Sequence, residues 1–288
     1  MKVGALAYRC ERLPGWVAHE AKLDRLFAEA GPDLAVLPEY AAMEAALIAG
    51  EPDGTPRHWR DRAAERAGDW VEQAKHIAAI HKSWILAGTG PVVTDRGVVN
   101  RAWLVSPEGA VGTQDKMILT PYERTEMGMV PGESLTLFDT PLGKLGILVC
   151  YDSEFPLLAR ALVEAGADAI LVPSCTDLPQ GQTRVRVSCR ARAVEGQCLV
   201  VQAPLVGQVS GCEPIDSSTG RAAVFTPPDL GLPPDGILAQ TETDRQGWAL
   251  VDVSLSDVTA ARRSGQVGNV AHWSEQDHRV TDVRTLRL

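Results

Sequence analysis

Cys150 stands where an apolar run gives way to polar residues and a proline. The run, residues 145–149, predicts a short buried strand. The residues after Pro156 have the pattern of a helix, with Asp152 or Ser153 as its cap. Backbone N–H groups and the helix dipole at such a junction favour a thiolate and any oxyanion formed beside it. The residue types leave two interpretations for Cys150, a nucleophile or a small buried hydrophobic side chain.

Two other apolar segments also end in residues that could take part in catalysis. The segment Asp33-Leu-Ala-Val-Leu-Pro-Glu39 is a predicted strand that ends in a carboxylate. The segment Gly112-Thr-Gln-Asp-Lys116 ends in a lysine, and Glu123 follows seven residues later. The glutamate could instead cap a helix, and the lysine could be a solvated surface residue. Their position after apolar runs favours a buried site.

A strand-end glutamate, lysine and cysteine in this order resemble the nitrilase superfamily of carbon–nitrogen hydrolases. The resemblance runs from Val3 to about Val253 and rests on three signatures, each weak alone and specific together. They are Leu-Pro-Glu39, Asp-Lys116-Met-Ile-Leu-Thr-Pro-Tyr-Glu123 and Gly-Ile-Leu-Val-Cys150-Tyr-Asp. The resemblance implies an α/β fold, a four-layer α-β-β-α sandwich of two mixed sheets with outer helices. It also implies a homodimer or a higher homo-oligomer.

The resemblance assigns a role to each of these residues. Cys150 attacks the carbonyl carbon, and Glu39 takes the thiol proton and later gives it to the leaving amine. Lys116 stays charged between carboxylates and holds the oxyanion together with the N–H of Tyr151. Glu123 matches the second glutamate of the family, which orients Lys116 or the amine side of the substrate. The predicted activity is hydrolysis of a small primary amide or carbamoyl amine through a thioester, with release of ammonia or an amine.

Three alternatives are weighed against this interpretation. A nitrilase would convert a nitrile to an acid, but nitrile-cleaving members typically have Cys-Trp-Glu where this chain has Cys150-Tyr151-Asp152. A catalytically silent binding member would not require the intact triad of Glu39, Lys116 and Cys150. A Cys-His hydrolase needs a histidine near the cysteine. None of the six histidines has a convincing position for that role: 19, 58, 76, 81, 272 and 278.

The substrate pocket is predicted from the residues that follow the strand-end motifs, although any of them could pack in the core. They are Tyr40, Tyr122, Tyr151, Glu154, Ser174, Cys175 and Thr176. Several amidases and carbamoylases of the family carry an arginine near the position of Glu154, where it grips a substrate carboxylate. The acid disfavours such a substrate. Glu154 either favours an amine-bearing substrate or forms a salt bridge with Arg160 or Arg186, and the salt bridge is the preferred interpretation.

Composition excludes several classes of protein. With 45% hydrophobic residues, the chain of 288 residues can bury an ample core. A net charge of -9 argues against nucleic-acid binding, and no apolar run is long enough to span a membrane. The six cysteines form no CxxC pair or zinc spacing, so we expect neither a metal, a cofactor nor disulfides. Free thiols and an N-terminus without a signal-peptide pattern indicate a cytoplasmic protein.

Strand and helix patterns alternate along the chain, which predicts an α/β domain over residues 1–255. Residues 41–49 and 60–82 are predicted helices, and 51–56 is a turn-rich loop. Residues 121–133 are predicted to form a loop over the site, and the segment Thr-Pro-Leu-Gly143 to make a four-residue hairpin connection. Residues 256–288 are polar. They are predicted to form a C-terminal extension that packs on the domain or on a dimer interface.

Overall fold

Two six-stranded sheets form the centre of the protein in a computed structural model that describes residues 1–48, 50, 54–281 and 283–287. The strands are β1 (Lys2–Ala7), β2 (Leu34–Val36), β3 (Trp84–Thr94), β4 (Gly97–Val105), β5 (Val111–Asp115), β6 (Leu137–Thr140), β7 (Gly143–Ile147), β8 (Ala169–Ser174), β9 (Leu199–Pro204), β10 (Gly207–Gln208), β11 (Ser217–Ser218), β12 (Ala223–Phe225), β13 (Ile237–Gln240) and β14 (Gly247–Asp252). The α-helices are α1 (Trp16–Ala30), α2 (Glu44–Ile48), α3 (Pro56–Glu65), α4 (Ala67–His81), α5 (Pro121–Thr125), α6 (Pro156–Glu164), α7 (Pro179–Gly196), α8 (Leu255–Ser264), α9 (Asn269–His272) and α10 (Ser274–Asp277).

The two sheets have the same arrangement of parallel and antiparallel strands. The first has the order β14-β1-β2-β3-β4-β5, and the second has the order β13-β12-β9-β8-β7-β6. Strands β1, β2 and β3 are parallel, as are β7, β8 and β9, and the outer pairs are antiparallel. Parallel strands deliver the residues that follow them to one edge of a sheet, where sites in α/β proteins form.

The contacts of β1 define the layers, because alternate side chains of a strand face opposite directions. Val3 and Ala5 share a core with Ile147 of the second sheet. Leu6 packs in a different core with Phe27 of α1. Helix α4 packs on β3, and α7 packs on β9. The predicted sandwich of two sheets between helical layers is therefore present.

The helix predicted over 60–82 is two helices, α3 and α4. Arg66 separates them because its φ of −105° and ψ of 2° lie outside helical geometry. Thr55 begins α3 ahead of the prediction, since its side chain accepts a hydrogen bond from the N–H of His58 at 3.2 Å. The apolar periodicity of the sequence continues across both helices and therefore does not show the break between them.

Two connections also differ from the prediction. The loop predicted over 121–133 begins as helix α5, because Thr120 and Glu123 cap each other reciprocally at its start. The hairpin between β6 and β7 has a two-residue connection, because Thr140 and Gly143 pair with each other. Both differences come from short-range hydrogen bonds that apolar periodicity does not record.

The helix predicted over 41–49 is a 3₁₀ turn, Ala41–Met43, followed by α2. Ala49 lies outside the described residues, as do residues 51–53 of the predicted turn. None of the described helices has the length and apolar character needed to cross a membrane.

The C-terminal segment folds back as helices α8, α9 and α10. Arg262 of α8 donates a hydrogen bond of 2.7 Å to the main-chain oxygen of Ala167. Arg160 of α6 forms an ion pair with Asp277 of α10 at 3.0 Å. These contacts place the segment on the helices that cover the second sheet. That residues 256–288 form a separate extension, or meet a second copy of the chain, stays a prediction.

Candidate active site

Four residues that follow strands converge on one cavity. Glu39 follows β2 and Lys116 follows β5 in the first sheet, whereas Cys150 follows β7 and Cys175 follows β8 in the second. All four, together with Glu123, line a cavity of about 800 Å³. The structure thus brings together the residues that were predicted to be catalytic, at the place where the ends of both sheets meet. These residues are Glu39, Lys116, Glu123 and Cys150.

The ammonium group of Lys116 lies between two carboxylates. Its Nζ is 2.7 Å from Oε1 of Glu39 and 2.7 Å from Oε2 of Glu123, and all three side chains are buried. The other oxygen of Glu39, Oε2, accepts a hydrogen bond of 3.0 Å from the N–H of Cys175. Buried charges require such compensation. Glu39 is therefore held between Lys116 and the main chain after β8.

Asn100 of β4 belongs to this cluster, although sequence reasoning missed it. Its Nδ2 donates hydrogen bonds to Oε1 of Glu39 at 3.0 Å and to Oε1 of Glu123 at 3.1 Å. Its main-chain oxygen accepts the N–H of Lys116 at 2.9 Å. The available signal was an amide within a predicted strand, since a buried amide has to find hydrogen-bond partners.

Glu123 is held from several directions. Thr120, at the start of α5, donates to its Oε2 from the backbone N–H at 2.9 Å and from the hydroxyl at 3.0 Å. The hydroxyl of Tyr40 donates to Oε1 at 2.6 Å. The capping box that begins α5 is thus also the device that aims Glu123 at Lys116.

The backbone turns sharply at Cys150, between β7 and a 3₁₀ helix over Cys150–Glu154. The φ of Cys150 is 49°, a left-handed value that is uncommon for a residue other than glycine. The carboxylate of Asp152 braces the turn, because it accepts N–H groups from Val149 at 3.1 Å and from Ile118 at 2.7 Å. Asp152 thereby ties the segment after Lys116 to the turn that presents the cysteine.

The cap predicted for α6 is wrong. The residue that flanks the helix is Phe155, which makes no side-chain capping hydrogen bond. Asp152 is occupied by the three backbone N–H groups of Val149, Met117 and Ile118. Ser153 donates its hydroxyl to the main-chain oxygen of Cys150 at 2.6 Å. Both polar side chains brace the cysteine turn instead of the helix.

Burial and charge set the protonation states of the site. Burial raises the pKa of Glu39, Lys116 offsets only part of this, and Glu123 adds to the increase, so that this pKa is about 7. Burial acts to lower the pKa of Lys116, but Glu123 and Glu39 outweigh it and raise this pKa well above its ordinary value. Burial, and then the charge of Glu39, raises the pKa of Cys150 well above its ordinary value. Lys116 is charged as expected, and the raised pKa of Cys150 favours the thiol, from which Glu39 is expected to take the proton.

A family model described as carbon-nitrogen hydrolase matches residues 5–263. The chain belongs to the carbon–nitrogen hydrolase family. The resemblance carried by the three strand-end signatures is therefore confirmed for nearly the whole chain.

Individual members of the carbon–nitrogen hydrolase family are similar over long stretches. The chain is 32% identical to the probable hydrolase YhcX of Bacillus subtilis (strain 168) over 240 residues, 83% of this chain and 46% of the relative. It is 31% identical to the deaminated glutathione amidase of Yersinia enterocolitica over 153 residues, 49% of this chain and 54% of the relative. The match therefore spans about half the length of these curated relatives.

Solved structures share the fold. The carbon–nitrogen hydrolase from Helicobacter pylori G27 superposes with a TM-score of 0.73 at 18% identity, over 91% of this chain and 92% of that one. The four-layer sandwich expected from the sequence is confirmed by this likeness.

Six of the seven residues predicted for the pocket of this carbon–nitrogen hydrolase line the cavity: Tyr40, Tyr122, Tyr151, Glu154, Cys175 and Thr176. Ser174 does not line it. Its buried hydroxyl donates to the main-chain oxygen of Ala203 at 3.3 Å, because Ser174 still belongs to β8 and pairs with β9. The pocket begins one residue later than predicted.

The wall of the cavity carries several charges. Glu154 forms an ion pair with Arg184 of α7 at 3.4 Å, so its partner is neither Arg160 nor Arg186. The hydroxyl of Tyr122 donates to Glu213, which also lines the cavity. Across the part of the chain that the structure describes, no group of three His, Cys, Asp or Glu residues is arranged to hold a metal ion.

Proposed function

We propose that this chain is a thiol hydrolase that cleaves a non-peptide C–N bond in a small amide or carbamoyl amine. The observation that carries the proposal is the position of Glu39. This buried carboxylate is 2.7 Å from Nζ of Lys116, and it lines the same cavity as Cys150. A nucleophile, a base and a cation in one cavity are the components that acyl transfer requires.

In the first half-reaction, Sγ of Cys150 bonds to the carbonyl carbon while the thiol proton passes to Glu39. The carbonyl oxygen becomes an oxyanion. An ammonium group has three donors, and two of those on Lys116 are directed at Glu39 and Glu123. The third is available for the oxyanion, together with the N–H of Tyr151.

The C–N bond then breaks, which completes the first half-reaction. Glu39 returns its proton to the departing nitrogen, so ammonia or an amine leaves and a thioester remains on Cys150. In the second half-reaction, water attacks the thioester carbon and gives a proton to Glu39; the acid leaves as the C–S bond breaks, and Glu39 returns that proton to Sγ of Cys150. Glu39 is suited to both transfers because a pKa of about 7 lets it accept and donate a proton near neutral pH.

The amide interpretation is supported over the nitrile one by two observations. The Tyr151-Asp152 pair after the nucleophile departs from the sequence typical of nitrile-cleaving members. The relative from Yersinia enterocolitica is named an amidase. A nitrile would give a thioimidate, whose nitrogen must be protonated before water adds, in place of the oxyanion that Lys116 would stabilise.

The test measures kcat/KM for an amide and a nitrile that bear the same side chain, with the acid product quantified. We expect the amide to be the better substrate. A clear preference for the nitrile would replace the amidase interpretation and leave the site itself standing. Hydrolysis of neither across a broad panel, with a thiol that alkylates readily, would favour a binding protein. Mass spectrometry of metabolites trapped by the Cys150→Ser variant would identify the substrate.

A further inference from the structure

Asn100 contacts all three charged residues at the centre of the site, although it carries no charge. Its side chain is fully buried, and its amide nitrogen donates to Glu39 and Glu123 at 3.0 and 3.1 Å. Its main-chain oxygen accepts the N–H of Lys116 at 2.9 Å. One residue of β4 thus holds two side chains and the backbone of a third.

The two oxygens of Glu39 have different partners. Oε1 accepts hydrogen bonds from Lys116 at 2.7 Å and from Asn100 at 3.0 Å. Oε2 accepts the N–H of Cys175 at 3.0 Å, and Sγ of Cys150 donates to the main-chain oxygen of Cys175 at 3.5 Å. The main chain of Cys175 therefore links Oε2 of Glu39 to the thiol of Cys150, whereas Lys116 and Asn100 hold Oε1.

The charge of the cluster explains why a neutral donor suits this position. Glu39 and Glu123 share a single cation, Lys116. A second cation at position 100 would stabilise both carboxylates and lower the pKa of Glu39, which would make it a weaker base. An amide has two N–H donors and no charge, so it can satisfy both carboxylates and keep Glu39 basic.

We infer that Asn100 is a positioning residue that orients Glu39 so that Oε2 receives the proton of Cys150, and that holds Glu123 against Lys116. The inference rests on the proposed function, because it assigns a proton-transfer role to Glu39. Asn100 is not among the residues that line the cavity. It acts on the reaction through Glu39 and not by contact with the substrate.

The pH dependence of Glu39 has several sources besides Asn100. The charged and titratable groups that face it are Lys116 after β5, Glu123 of α5, Cys150 after β7, Cys175 after β8 and the adjacent Tyr40. A substitution at position 100 leaves all of these groups in the chain. A shift in the titration of Glu39 in such a variant therefore reports the loss of the amide.

The test replaces Asn100 by leucine, which has a similar size and no donor. Two pH profiles are measured: kcat/KM for a small amide, and the rate at which iodoacetamide alkylates Cys150. We expect the acid limb of both profiles to move up by about one pH unit, because the carboxylate form of Glu39 loses a donor. We also expect kcat to fall about tenfold or more, with KM changed less than about twofold.

Gln114→Leu is the matched control. Gln114 is a buried amide on the neighbouring strand β5, and its Nε2 donates only to the main-chain oxygens of Asp115 at 2.8 Å and Ser134 at 2.9 Å. Its removal should lower the free energy of unfolding and leave the midpoints of both pH profiles in place. A shift in Asn100→Leu without a shift in Gln114→Leu separates positioning from general packing.

Unchanged midpoints and an unchanged kcat in Asn100→Leu would overturn the assignment. If that variant does not fold, Asn100→Asp keeps the size and places a third carboxylate beside Glu39 and Glu123. It should move the acid limb further upward, and an unmoved limb would again overturn the assignment. A wild-type protein that alkylates with a midpoint near 7 but hydrolyses no amide would contradict the proposed function alone, since alkylation still tests Asn100.

Discussion

The protein has two buried clusters of carboxylate and lysine side chains, of which the one around Lys116 faces the cavity and the one around Lys22 does not. In the first, Glu39 and Glu123 share Lys116. In the second, Glu44 is 2.7 Å from Nζ of Lys22, whose side chain extends from α1. Glu44 and Lys22 do not line the cavity. Similar residue types therefore serve different purposes.

The difference lies in the balance of charge around each carboxylate. Glu44 accepts hydrogen bonds from Tyr8 and from the N–H of Glu11, and Nε2 of His19 is 3.5 Å away. Burial acts to raise the pKa of Glu44, but His19 and Lys22 outweigh it, and the pKa lies below its ordinary value. A carboxylate with a lowered pKa remains ionised and ties elements together.

Glu39 has the opposite balance. It shares its cation with a second carboxylate, so burial dominates and its pKa is about 7. A group that titrates near neutral pH can exchange a proton during a reaction. Excess carboxylate, together with a nucleophile and a cavity, distinguishes the proposed catalytic cluster from the structural one.

The largest expected effect separates the two clusters by activity. Glu39→Gln, Lys116→Ala and Cys150→Ala should each lower kcat about a thousandfold or more, because each removes one component of the same proton and charge transfer. Variants that combine two of these substitutions should have a kcat no lower than that of the more impaired single variant. Steady-state kinetics on an amide substrate checks this. Near-normal turnover by any single variant would contradict the role assigned to that residue.

The second prediction separates the clusters by stability. Lys22→Met should lower the free energy of unfolding by about 3–5 kcal/mol, because it leaves Glu44 buried without its cation. Urea denaturation followed by fluorescence measures the change. The control is Lys75→Met, whose exposed pair with Glu72 at 2.6 Å should be worth less than about 1 kcal/mol. Equal losses in the two variants would show that the second cluster is not structural.

The third prediction concerns pH. The wild-type kcat/KM should rise about tenfold per pH unit below about 7 and level off above it, because Glu39 must be ionised to accept the thiol proton. In Lys22→Met, the molecules that remain folded should show the same pH midpoint of kcat/KM as the wild type. A profile that is flat from about pH 5 to 8 would exclude Glu39 as the base, by the same relation between ionisation and rate.

Much of the fold and of the site follows from local sequence. Apolar runs that end abruptly in a polar residue located Glu39, Lys116 and Cys150 at strand ends, and parallel strands bring such ends together. Helix α1 also follows from local sequence, because an amphipathic pattern ends at Gly31, which has the left-handed conformation of a helix C-terminus.

The features that the sequence did not predict have causes that apolar periodicity does not record. Asn100, the break at Arg66 and the partner of Glu154 depend on contacts between segments distant in the chain or on single backbone angles. The register of β4 against β5 places Asn100 beside Lys116, and strand propensity alone does not specify that register. Ser174 was misassigned by one residue, because the pattern does not show where β8 ends.

The smallest expected effect concerns Glu154 and its pair with Arg184. The side chain of Arg184 is 60% exposed and the distance is 3.4 Å, so the pair should contribute less than about 0.5 kcal/mol to stability. Glu154→Gln should therefore change kcat/KM for an uncharged amide by less than about threefold. If Glu154 is only a salt-bridge partner, the same small change is expected for an amide that carries a primary ammonium group. Arg184→Gln is the matched control on the other side of the pair. A loss of about tenfold confined to the cationic substrate and to Glu154→Gln would instead assign the carboxylate to substrate binding, since removing a charged contact to a bound ligand has that size.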